Sequence, residues 1–134
     1  MTRHNLYIPT YDWLVRVYLN ACHDDVEEII DTLERLGATD RELCKARRNM
    51  RKDTRNNGIC YPNKADRMSV MVIGSTTSAK EFLDSLVHEI MHLAVHIATT
   101  DGIDLHSEEV CYIAGDAARS LYDTCKEYLC CKCH

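Results

Sequence analysis

Ser78-Ala79-Lys80-Glu81-Phe82-Leu83-Asp84-Ser85-Leu86-Val87-His88-Glu89-Ile90-Met91-His92-Leu93-Ala94-Val95-His96-Ile97-Ala98-Thr99 sets the architecture expected of this chain. Ser78 and Glu81 match the S-x-x-E capping box, in which a hydroxyl and a carboxylate satisfy the orphan amides at a helix start. Gly102 supplies a stop, so one helix is expected from Ser78 to about Thr99. At about 100° per residue, Leu83, Leu86, Ile90, Leu93, Ala94 and Ile97 gather on one side of it, and His88 and His92 fall on the other. Glu89 projects beside the two imidazoles.

Working outward, Ser69-Val70-Met71-Val72-Ile73 and Gly58-Ile59-Cys60-Tyr61 are short β candidates, and the polar Pro62–Asp66 segment between them suits a hairpin. Leu6-Tyr7-Ile8 and Trp13–Leu19 form two further strands around a Pro9-Thr10 break. A helix is expected over Asp24–Leu36, with Val26, Ile29, Ile30 and Leu33 at helical spacing and Gly37 as its stop. A second, basic helix should begin with Asp40 as N-cap and reach about Met50, and Lys52–Gly58 reads as loop. A last helix begins near Ser107, carries two acids in its first turn where the dipole favours them, and continues to about Cys130. The fold class expected is α+β, with a small antiparallel sheet packed on the His88-bearing helix and a C-terminal helix.

With 134 residues, 46% hydrophobic and 28% charged, the chain is one globular domain rather than a linker or a disordered tail. No stretch approaches about eighteen uninterrupted apolar residues, and Met1-Thr2-Arg3-His4-Asn5 does not lead into a signal-peptide core. A soluble, cytoplasmic protein with no membrane partner is expected. Free thiols are then the preferred reading of the eight Cys. Cys22, Cys44, Cys60 and Cys111 read as small hydrophobes in packed segments. The closing Cys130-Cys131-Lys132-Cys133-His134 run lacks the paired C-x-x-C halves of a structural zinc site and reads as a frayed tail over 130–134. The net charge is −5, but nine Lys/Arg against three acids between Arg41 and Arg67 make that segment basic. It reads as a solvated face; a single Tyr, Tyr61, is not the aromatic interleaving that single-strand stacking needs, so nucleic acid is not favoured as a partner.

The chemistry lies in His88-Glu89-Ile90-Met91-His92, an H-E-x-x-H pattern. Residues four apart share a helix face, so two imidazoles can reach one ion while the Glu lies alongside. A catalytic zinc has three protein ligands and a water. A His six residues beyond His92 is absent, that position being Ala98. His96 lies two turns, roughly 12 Å, from His88, too far for the same site, and reads as a rim or exposed polar residue. The short loop before Ser107 would fold a helical hairpin and return Glu108 or Glu109 towards the histidines. Helical phase leaves both acids open.

His88-Glu89-Ile90-Met91-His92, followed by Glu108-x-x-x-Tyr112-Ile113-x-Gly115, resembles small metallopeptidase-like proteins of phages and mobile elements of gut bacteria, and more distantly the minimal gluzincin peptidases that cleave repressors. Tyr7-Ile8-Pro9, Tyr11-Asp12-Trp13, Ser69–Gly74 and Ser85–Glu89 extend the similarity over most of the chain. The resemblance implies a single zincin-like domain over 1–134, with zinc held by His88, His92 and Glu108 and with Glu89 as general base. It also implies a peptide or protein substrate lying antiparallel to an edge strand, which would be Ser69–Ile73. Tyr112 stands where larger gluzincins carry a supporting Asp, so Asp104 or Asp116 would have to brace a ligating His. Tyr112 itself would donate to an oxyanion or pack its ring on the first helix. The expected function is zinc-dependent peptide hydrolysis. The alternatives are a non-catalytic regulatory or interaction protein, with a structural metal and a basic partner-binding segment at 41–67, and a thiol-rich metal buffer centred on the tail.

Overall fold

Trp13, Val15, Val17 and Leu19 repeat at every second position, which puts them on one face of a strand, and all four are fully buried. The computed structural model describes residues 1–51 and 58–130. In it β1 (Thr2–Ile8) and β2 (Trp13–Ala21) form an antiparallel hairpin in which Leu6 faces Val15. Two helices follow, α1 (Val26–Arg35) and α2 (Asp40–Arg51), then β3 (Gly58–Asn63), β4 (Met68–Gly74), α3 (Ala79–Asp101) and α4 (Glu108–Cys125). The expected loop over 52–57 and the tail over 131–134 lie outside the described residues, and Gly58 opens a strand.

The class is α+β, but the sheet is mixed rather than antiparallel. Its order is β1-β2-β4-β3, with β4 parallel to β2 and antiparallel to β3. Parallel strands need a long crossover, and α1 with α2 supplies it. The chain then places β3 on the outside and returns β4 down the middle. Ser69 through Gly74 are accordingly all buried, so the segment expected at an edge is interior, and the edges are β1 and β3.

Helices cover both faces. Val15, Val17, Leu19, Met71 and Ile73 meet α3 and α4, whereas Tyr18, Val70 and Val72 meet α1 and α2. Trp13 Nε1 donates to Ser69 Oγ at 2.9 Å inside the first of these cores. The cap of α2 is Thr39 rather than Asp40: its hydroxyl accepts from the Glu42 amide at 3.2 Å while the Glu42 carboxylate accepts from the Thr39 amide at 3.3 Å. The last helix ends at Cys125, short of the expected Cys130, and Tyr128 folds back to stack on Phe82 with ring centroids 5.0 Å apart. No helix among the described residues is long and apolar enough to cross a membrane.

Candidate metal centre

Ser78 Oγ accepts from the Glu81 amide at 3.1 Å, and Gly102, at φ 69°, terminates the helix that follows. Between these caps α3 buries Leu86, Ile90, Leu93, Ala94 and Ile97 against the sheet, while Leu83, expected with them, is exposed. His88 and His92 lie on the outer flank, both exposed. Their Nε2 atoms approach to 3.2 Å, with the rings at 69° to one another. Two nitrogens bound tetrahedrally to one zinc at 2.0–2.1 Å stand about 3.3–3.4 Å apart. The pair therefore has the span and the donor chemistry of one edge of a zinc site.

Glu89 lies against Gly58 of β3 and is only 4% exposed. A methyl group at position 58 would overlap its carboxylate, so glycine is what lets the acid lie flush against the strand. Burial pushes the Glu89 carboxyl up to about 7, the range in which a carboxylate can accept and return a proton near neutrality. One turn beyond His92, the His96 ring stacks at 6.1 Å from it, and Nδ1 lies 3.9 Å from Cys60 Sγ. Burial first, then the neighbouring His92 and Lys64, bring His96 down to about 4, which keeps it neutral. Burial likewise pushes the Cys60 thiol up.

These groups line a groove of about 490 Å³ that wraps the free edge of β3, with α3 on one side and α2 on the other. Pro62, lacking an N–H, is tolerated in a strand where that position faces away from the ladder. Gly58 and Cys60 share its two-residue phase, so their main-chain N–H and C=O groups face the groove.

Glu108 is not brought to this place. Among the described residues, the only His, Cys, Asp and Glu trio whose donor atoms all lie within 4.8 Å of one another is Cys22, His23 and Asp24 on the exposed turn before α1. Glu108 opens α4 after the six residues 102–107 that follow α3. Moreover, α4 packs on the β1 side of α3: Tyr11 donates to Glu109 at 3.0 Å, whereas the histidines face β3. Asp104 accepts from the His106 amide at 2.9 Å, and Asp116 pairs loosely with Arg119 at 3.8 Å, so each is engaged within its own segment. Tyr112 is 65% exposed and does not pack on the first helix. Cys22, Cys44 and Cys111 are exposed rather than packed.

The groove's own contributors were missed in the sequence. Gly58 marks a close backbone approach, and the unbroken apolar run Val70–Ile73 is the pattern of a strand covered on both faces, which leaves β3 at an edge. No protein-family model, curated protein or solved structure matches this chain.

Proposed function

We propose that the chain is a minimal zincin-like, zinc-dependent peptidase acting in the cytoplasm. What supports the reading most is a single arrangement: two imidazole nitrogens 3.2 Å apart, beside a buried acid that lies against an open strand edge. His88 and His92 would supply two of the three protein donors that a catalytic zinc takes, and among the described residues no third His, Cys, Asp or Glu donor lies with them. When bound, the ion acidifies water and polarises a carbonyl. A peptide extended along β3 would pair with the main chain of Gly58 and Cys60, which holds the scissile bond above Glu89. Glu89 would take the proton from the attacking water and deliver it to the leaving amine. Its burial keeps the carboxylate basic enough for the first transfer and the acid available for the second.

The test is metal analysis and peptide cleavage on the same preparations. Wild type should carry one zinc per chain and cut peptides. His88→Ala and His92→Ala should lose both properties, Glu89→Gln should keep the metal and lose cleavage by at least about a hundredfold, and Glu108→Ala should keep the metal. Equal cleavage by wild type and Glu89→Gln overturns the catalytic reading. The non-catalytic reading, an interaction protein with a structural metal, is favoured by the cationic face of α2; it requires metal without any cleavage.

A further inference from the structure

Resting on the peptidase reading, we propose that the groove selects acidic peptides: carboxylates at alternate positions of a bound strand meet a cationic row formed by Arg41, Lys45 and Arg48 on α2. Glu42, Lys45, Ala46 and Asn49 of α2 line the groove, a spacing that puts them on one helix face. Ala46 is buried and Lys45 is exposed. At about 100° per residue, Arg41 and Arg48 fall beyond Lys45 on the side away from Ala46, which places them on the outer rim, and both are exposed.

Glu42 is the one acid on this face of α2, and its carboxylate accepts from the hydroxyl and amide of Thr39 and from the Tyr61 hydroxyl, so the three cations outnumber it. Arg47 pairs with Glu27 at 3.0 Å. Among the described residues, Arg41, Lys45 and Arg48 make no ion pair. A chain with net charge −5 thus presents a positive rim beside the outer edge of β3.

The geometry matches a peptide. Asn63 Nδ2 donates to the Leu36 carbonyl at 2.9 Å, which sets the start of α2 beside the end of β3, while Asn49 and Gly58 line the same groove at the other end. The helix therefore runs alongside the strand in the opposite sense. One step from Arg41 to Lys45 rises about 6 Å, and two residues of an extended peptide advance about 6.7 Å. Side chains of an added strand alternate between the α2 side and the α3 side. Every second residue would face the cations, giving an acid-x-acid pattern on one side of the cleaved bond. Nucleic acid is disfavoured as the occupant because Tyr61 is, among the described residues, the only Phe, Tyr or Trp in the groove's lining and a run of stacked bases needs several, whereas the groove floor is a strand edge.

The experiment uses full-length Glu89→Gln protein in zinc-containing buffer, with fluorescein-labelled Ala-Glu, Ala-Gln and Ala-Lys alternating peptides of equal length read by anisotropy. The Ala-Glu peptide should bind about tenfold tighter than the Ala-Gln peptide, and the preference should shrink in high salt. It should vanish when Arg41→Gln and Lys45→Gln are added, with the melting temperature unchanged. Equal affinity for the Glu and Gln peptides, a preference that survives in the charge-removed variant, or equal competition by a single-stranded oligonucleotide overturns the proposal. The two readings fail separately. Wild type that cleaves peptides without acidic preference sinks the selectivity alone, while an Ala-Glu preference without any cleavage supports the selectivity and sinks hydrolysis.

Discussion

Arg67 occupies left-handed backbone at φ 54° and joins three separate parts of the chain. Its Nε donates to the Tyr11 carbonyl at 3.1 Å, and Nη2 also reaches that oxygen. Nη1 and Nη2 donate to the two carboxylate oxygens of Asp101 at 2.8 and 3.0 Å, and the guanidinium lies 5.4 Å over the Trp13 ring. Arg67→Ala should lower the midpoint of urea unfolding. Arg67→Gly should cost less, because it relieves the left-handed backbone while losing the same bonds. The hydrogen bonds from Arg67 hold the Asp101 carboxyl below its ordinary 3.8. The folded state then binds protons less readily than the unfolded one, so the pair's contribution is present above that value and fades as pH falls through the lower folded value. The stability gap between wild type and Arg67→Ala should narrow in that acid range. Thiols divide along similar lines. Cys125 is 1% exposed and pushed up to about 11 by burial, whereas Cys22, Cys44 and Cys111 are exposed. Site-resolved mass spectrometry should find native-state alkylation at the latter three and at Cys125 only after unfolding. The sequence suggested packing for those three because the segments around them were expected to pack. Membership of a segment does not say which side a residue faces.

At the scale of the element, α3 was readable almost end to end, because Ser78, Glu81 and Gly102 punctuate it chemically and its apolar positions recur at helical spacing. The Glu81 carboxylate also accepts from the Thr77 amide, at 3.0 Å. For α2 the competing signals were adjacent, Thr39 and Asp40 both being good caps, and Glu42 three residues on decides for Thr39. Glu108 was misplaced because a carboxylate at a helix start satisfies the dipole as readily as a metal, and spacing along the chain says nothing about which flank of α3 the next helix takes. Between β3 and α3 the critical contact involves no side chain on the strand. Gly58→Ala should therefore displace Glu89, lowering peptide cleavage at least tenfold while zinc content stays at the wild-type level. Retained cleavage would mean that the acid does not need that seat.

For the molecule as a whole, the strands could be found in the sequence but not their order, since the hairpins are local and the β2–β4 pairing spans the whole α1–α2 crossover. The register Val15↔Ser69 and Val17↔Met71 joins residues more than fifty positions apart, and only the solidly apolar character of β4 hints at it. With β4 central, both helical layers converge on β3 from opposite sides, and the reactive groups collect where the sheet stops. That termination carries a solution hazard. A bare row of amides and carbonyls is an invitation for two copies to zip together, and Pro62 interrupts the donors near one end of it. Restoring an amide there with Pro62→Val should promote concentration-dependent dimers or larger particles in light scattering, so the imino acid acts as a guard against self-assembly.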